Sequence, residues 1–209
     1  MTGMQTITLK ADEPGALERA AEMLRKHKLV AFPTDTVYGL GALAFEAADV
    51  AAVYRAKGRP PDKAIAILLA DVSMVDQVAE NVPGVARLLM SKFWPGALTL
   101  IVPKRSDIPE AVSGGSTIGV RVPALDLTRE LLRRTGPLAV TSANRSGQAS
   151  PRSASEVLAQ LEGRIHAVLD GGETGGTPST VLDCSQTPPS IARPGPITEE
   201  QLRAFTRLA

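Results

Sequence analysis

The sequence has one cysteine, two histidines and few aromatic residues, and each shortage removes a class of function. The single thiol, Cys184, excludes an internal disulfide and any multi-cysteine zinc site. It also lacks a histidine nearby in sequence, so an inert buried thiol accounts for it better than a nucleophile. His27 and His166 have no carboxylates at metal-ligand spacing, so no metal-binding residue is expected. Aromatic residues make up 3%, which argues against an RNA surface built on stacking platforms. No apolar run approaches the roughly 18 residues of a membrane span. The opening MTGMQTITLKADEPG turns polar before a signal-peptide core can form, so the expected location is cytoplasmic, with no membrane partner. The phosphate-loop pattern G-x-x-x-x-G-K-[ST] is missing. A formal net charge of +1 leaves no chain-wide polyelectrolyte surface, so any anion site must be local.

What is there is ordinary globular material: 209 residues, 44% hydrophobic and 22% charged, which sets one domain over 1–209 as the expectation. Helix-like and strand-like patterns alternate. Leu17, Ala20, Ala21 and Leu24 recur at helical spacing after Pro14, and Val50, Val53 and Tyr54 share one face of a second helix over 47–56. A third helix starts at Pro83 and stops at Trp94, Pro95 and Gly96. Asp126 is placed to cap LTRELLRR, while Ser153 with Glu156 and Thr198 with Gln201 have capping-box spacing. LVAF, AIAILLA, ALTLIVP, TIGVRVP, LAVTSAN, HAVLD, TVLD and SIAR read as strands. The alternation predicts an α/β fold: an open sheet with flanking helices.

The most unusual segment is PTDTVYGLG, residues 33–41. One account is a strand-to-helix turn, with Thr34 or Asp35 capping the next helix and Gly39 and Gly41 supplying permissive backbone. A cap needs one such residue, however, and Thr34, Asp35 and Thr36 come in succession. Arg55, Lys57, Arg59 and Lys63 then fall within nine residues, opposed only by Asp62. Gly58, Pro60 and Pro61 break the helix there, so Lys57, Arg59 and Lys63 are expected on a loop, where they suit polyphosphate better than a solvated helix face would. Arg121 sits in an otherwise uncharged strand, facing either a structural carboxylate or a ligand anion. TSANRSG (141–147) supplies hydroxyls and an amide at a strand end, where open-sheet ligands gather. GGETGGTPSTVLD delivers Ser179 and Thr180, and Arg193 in IARPG is a second candidate anion contact.

In order, PTDTVYGLG, KGRPPDKA, GVRVP, TSANRSG, PSTVLD and IARPG resemble the successive motifs of the YrdC-like threonylcarbamoyl-adenylate synthases, over about residues 14–205. The resemblance implies a twisted mixed sheet in the short, single-domain form. It implies a nucleotidyltransferase that makes threonylcarbamoyl-AMP and pyrophosphate from L-threonine, bicarbonate and ATP, with Mg²⁺. A separate threonylcarbamoyl transferase complex would then modify tRNA, and direct contact with tRNA or RNA stays open. On this basis Thr36, Arg121, Ser142 and Ser179 line the threonine site. Lys57, Arg59, Lys63, Thr117, Asn144, Ser150 and Arg193 face ATP, with Lys57 and Arg59 stabilising charge in catalysis. Many members have Asn-Pro-Leu where this chain has Lys63, Ala64 and Ile65. Asp35 is open to a role at the metal or in proton transfer. Two alternatives stand beside this one: a non-catalytic RNA-binding or ribosome-associated protein, and a carbamoyl-adenylate-forming enzyme, whose extra zinc-binding modules one cysteine cannot supply.

Overall fold

The computed structural model describes residues 4–209. Ten strands form one sheet: β1 (Ile7–Lys10), β2 (Val30–Phe32), β3 (Gly39–Leu43), β4 (Ala66–Leu68), β5 (Leu98–Pro103), β6 (Thr117–Arg121), β7 (Leu138–Ser142), β8 (Ala167–Asp170), β9 (Thr180–Asp183) and β10 (Ser190–Arg193). Their order is β1-β8-β2-β3-β7-β4-β6-β5-β9-β10. The sheet is mixed, with parallel pairs such as β4–β6 and β5–β9 beside antiparallel pairs such as β3–β7 and β5–β6. Six helices flank it: α1 (Ala16–Arg25), α2 (Ala47–Lys57), α3 (Gly84–Phe93), α4 (Asp126–Thr135), α5 (Ala154–Leu161) and α6 (Glu199–Arg203).

The helices start and stop for local reasons. Thr198 and Gln201 complete a reciprocal capping box at α6. At α5 only half the expected box forms. Ser153 Oγ accepts from the Glu156 amide at 3.3 Å, while the Glu156 carboxylate accepts from the Arg152 amide at 2.7 Å. Asp126 does not cap α4. It is the first helical residue and pairs with Arg129 one turn on, while Leu125 holds the cap position without a side-chain bond.

Two strands escape sequence periodicity. β1 is short and shows only one buried side chain, Leu9. β3 falls on GLGAL, where a turn into a helix was expected. Neither Gly39 nor Gly41 adopts a positive φ, so backbone permissiveness is not what they provide. They provide room: a Cβ on Gly39 would lie 2.6 Å from Val140 Cγ1, and one on Gly41 would lie 2.6 Å from Phe32 Cε1. Thr34 caps no helix either. Its hydroxyl donates to the Val37 carbonyl and accepts from the Thr36 and Val37 amides, closing the loop on itself.

The two sheet faces are covered unequally. On one face Leu40, Ile67, Leu100, Val120, Ala139 and Leu182 pack into a continuous core beneath α2, α3, α5 and α6. On the other, α1 and α4 pack with Leu9, Val30, Phe32, Leu138 and Leu169, from the β1 edge of the sheet as far as β7. Strand alternation puts Ala66, Thr99, Ile101, Gly119, Arg121, Val140, Ser142 and Val181 on this second face, beyond the helices. In a flat sheet β6 would stand roughly 19 Å from β2. Arg121 at the end of β6 nonetheless bonds Asp35 and Thr36 in the β2–β3 loop, so sheet and loop fold toward each other over this face.

The close approach at β3 gives a direct test. Gly41→Ala should destabilise the protein by about 1–3 kcal/mol in equilibrium unfolding, because Phe32 is fully buried and has nowhere to move. Wild-type stability in that variant would show that Phe32 rotates away freely.

Candidate functional site

Where the helical layer stops, the uncovered face forms a cavity of about 300 Å³. Its floor is small or apolar, including Gly119, Ala66, Ile101 and Val140. Its polar walls come from three directions: Thr34 and Thr36 from the β2–β3 loop, Ser142 and Ser150 from β7 and the following turn, and Ser179 from the β8–β9 connection. Three arginines line it, Arg59, Arg121 and Arg193, and no acidic side chain does.

Arg121 is buried, 5% exposed, and held at three points. Nε donates to the Gly96 carbonyl at 2.8 Å, Nη1 to Thr36 Oγ1 at 2.9 Å and Nη2 to Asp35 Oδ1 at 2.6 Å. Burial pulls its pKa down and Asp35 pulls it back up; an arginine stays charged throughout. Arg121 thus has a structural carboxylate in Asp35 and also lines the cavity. Arg193 donates through Nε and Nη2 to the Ser179 carbonyl, at 3.1 and 2.8 Å, and through Nη2 to Ser179 Oγ at 3.2 Å. Burial and then the like charge of Arg121 lower its pKa. With Arg59, three guanidiniums line one cavity, with a single carboxylate, Asp35, beside Arg121. Such a site favours anions.

The β8–β9 connection is locked to this wall by backbone contact. Gly176 N donates to the Thr36 carbonyl at 2.6 Å, and a Cβ on Gly195 would lie 2.6 Å from the Pro178 carbonyl oxygen. The PST and RPG segments are thus one interlocked unit.

Of the residues expected at the site, Thr36, Arg59, Arg121, Ser142, Ser150, Ser179 and Arg193 line the cavity. Lys57, Lys63, Thr117 and Asn144 do not. Lys57 is not on a loop: it ends α2, is 2% exposed, and turns Nζ inward to the Ser142 carbonyl and, at 2.5 Å, the Asn144 carbonyl. The loop begins one residue later at Gly58, whose φ of 60° ends the helix. Asn144 is buried, and its amide donates to the Arg145 and Gln148 carbonyls, which shapes the turn. Lys63 contributes its carbonyl, accepting from Arg59 Nε at 3.1 Å and Tyr54 Oη at 3.0 Å, while its side chain is exposed. Thr117 opens β6 opposite Pro103, on the same face as Gly119 and Arg121 but outside the cavity lining. Arg59 Nη2 also donates to the Ala64 carbonyl at 2.9 Å, so the loop is closed on its own arginine.

Sequence reasoning missed Thr99 and Gly119. Alternation in ALTLIVP does set Thr99 and Ile101 opposite Leu98 and Leu100. It cannot say that β9 lies alongside and brings Ser179 Oγ within 2.8 Å of Thr99 Oγ1. The remaining singular residues are structural. Burial pushes the Cys184 thiol up to about 12, which leaves it unreactive. His27 Nδ1 lies 2.9 Å from Asp49, and His166 Nδ1 accepts from the Leu29 amide.

A curled mixed sheet with an uncovered polar face and an arginine-walled cavity defines an α/β protein with a small-molecule anion pocket. The family model Sua5/YciO/YrdC, described as telomere recombination, matches residues 22–195, and the chain belongs to that family. It is 44% identical over 203 residues to the threonylcarbamoyl-AMP synthase of Bacillus subtilis, covering 95% of this chain and 58% of that protein. Against the threonylcarbamoyl-AMP synthase of Pyrococcus abyssi the identity is 42% over 186 residues, with 88% and 55% covered. The crystal structure of P. abyssi Sua5 complexed with L-threonine superposes with a TM-score of 0.90 at 40% identity, covering 98% of this chain and 62% of that one. The chain spans less than two thirds of each.

Lys57 supplies the prediction here. Burial, and next the Arg59 guanidinium, bring its pKa down from 10.5 to about 7. A neutral amine still has two N–H donors for the two carbonyls. Between pH 7 and 10.5 the unfolded chain holds more protons at this group than the folded one, so its contribution to stability rises with pH. From pH 7 to 9, wild type should gain roughly 1–2 kcal/mol relative to Lys57→Met in urea unfolding. Parallel pH profiles for the two proteins would show that Lys57 keeps an ordinary pKa.

Proposed function

We propose that this domain joins L-threonine, bicarbonate and ATP into threonylcarbamoyl-AMP and pyrophosphate, and that the single domain carries the activity. The product would serve a separate complex that modifies tRNA, in the cytoplasm. The observation that supports this most directly is the cavity wall: three arginines, hydroxyls and no acidic side chain, the balance that a carboxylate and a polyphosphate together require. Membership in a family that includes threonylcarbamoyl-AMP synthases, and a neighbour complexed with L-threonine, point the same way.

In this proposal Thr36, Arg121, Ser142 and Ser179 hold threonine, and Arg59, Ser150 and Arg193 hold ATP. Lys57 and Asn144 support the turn that carries Ser142, and Lys63 supports Arg59. Bicarbonate gives carbon dioxide and hydroxide; the amine of threonine bonds to the carbon of carbon dioxide, and the proton it loses leaves with the hydroxide as water. A carbamate oxygen then bonds to the α-phosphorus as the bond to the pyrophosphate oxygen breaks. No protein nucleophile is needed. The domain positions the reactants and stabilises phosphoryl charge with preorganised cations. Among the described residues no cluster of three or more His, Cys, Asp or Glu side chains could hold a metal. That donor set suits Mg²⁺ carried by nucleotide phosphates and water better than by a protein cage. When bound, the ion would add neutralising charge at the phosphates. Asp35 is the carboxylate beside the cavity, with one oxygen engaged by Arg121.

The purified chain should release pyrophosphate from ATP only with L-threonine, bicarbonate and Mg²⁺ all present. Release undiminished in carbon-dioxide-depleted buffer would mean ordinary amino-acid adenylation. No threonine-dependent release, together with an unmoved melting temperature in threonine plus ATP, would favour the RNA-binding alternative.

Arg59→Lys separates geometry from charge. Turnover should fall about tenfold or more, roughly 1.4 kcal/mol of transition-state stabilisation, because the planar fork is lost while the charge stays. The melting temperature should stay near wild type. Unchanged turnover would reduce Arg59 to diffuse positive charge.

A further inference from the structure

Thr99 is 5% exposed, lines the cavity, and has no role in the site as described so far. Its neighbours on β5, Leu98 and Leu100, face the core on the other side of the sheet. Its hydroxyl lies 2.8 Å from Ser179 Oγ, its one hydrogen-bond partner among the described residues. Ser179, also 5% exposed, is reached from its other side by Arg193 Nη2 at 3.2 Å.

Counting protons shows what this triad offers. An arginine can only donate, so Ser179 Oγ accepts from Arg193. The contact between Thr99 and Ser179 uses one of their two hydroxyl protons, whichever residue supplies it. The other proton has no acceptor among the described residues, and both hydroxyls line the cavity. The triad therefore presents one hydroxyl donor to a ligand, with Arg193 withdrawing charge behind it. The strongest partner for such a donor is an oxyanion.

We infer that Thr99 is a positioning residue for the amino-acid substrate: it donates to Ser179 Oγ and so turns the Ser179 hydroxyl proton toward a carboxylate or carbamate oxygen. This rests on the threonine-activating reaction proposed above. With valine at 99 the shape and strand preference are kept, but Ser179 is held only by the longer Arg193 contact and can turn among its staggered rotamers.

The test is steady-state pyrophosphate release by the full chain, varying threonine and ATP separately. Thr99→Val should raise the threonine KM about tenfold, leave the ATP KM within about twofold, and leave kcat at saturating threonine within about threefold. Thr99→Ser should restore the threonine KM, since it returns the hydroxyl without the methyl. In a Ser179→Ala background, Thr99→Val should add little, because the two act as one unit. If Thr99→Val does not fold, Thr99→Ala carries the same expectation. An unchanged threonine KM, a Thr99→Ser as impaired as Thr99→Val, an equal rise in both KM values, or full additivity with Ser179→Ala would each overturn the inference. Where wild type shows threonine-dependent release and one of those results appears, this inference alone fails. A wild type without that release overturns the proposed reaction, and the inference with it.

Discussion

A single buried guanidinium holds the site together. Arg121 ends β6, yet its three bonds reach the β2–β3 loop at Asp35 and Thr36 and the turn after α3 at Gly96. Those segments come from separate parts of the chain, and the tertiary fold brings them within reach of one side chain. Taking a charge out of water costs several kcal/mol, offset here by a carboxylate and two further oxygen acceptors. Removing either partner would leave the other charge buried and unpaired. Arg121 is thus first a structural clamp, and its exposure to the cavity follows from where it clamps.

The other motifs work as interlocked pairs. Lys57 ties the end of α2 to the turn after β7 through two backbone carbonyls, so the basic segment and TSAN are one structure. Gly195 lets the RPG segment pass against Pro178 and Ser179, which in turn fixes Arg193 on the Ser179 carbonyl. Basic residues that look equivalent in sequence therefore do different jobs. Lys57 holds backbone, Lys63 lends a carbonyl, and Arg59 and Arg193 face the cavity.

The cavity exists because helices cover only part of one sheet face. The layer of α1 and α4 runs from the β1 edge to about β7, and small residues keep the remaining floor open. A Cβ on Gly119 would project from that floor, 3.1 Å from Thr99 Cγ2. Charge and space agree: room above the sheet, three arginines around it, and one carboxylate, Asp35, beside it.

Much of this was legible in the sequence. Helical periodicity placed α1, α2 and α3, apolar runs placed eight of the ten strands, and ordered motifs carried the family resemblance. β1 was missed because it is short and half exposed, and β3 because its glycines looked like turn residues when they were making room for Phe32 and Val140. The sequence determined which segments are regular and which residue types are available for anion chemistry, since both depend on local pattern. Only the tertiary structure decided that Lys57 points inward, that Arg121 serves Asp35 and the cavity together, and that Thr99 meets Ser179. Each of those depends on which strands become neighbours and how far the sheet curls. Strand order and curl arise from contacts between residues distant in sequence, on which local periodicity carries no information.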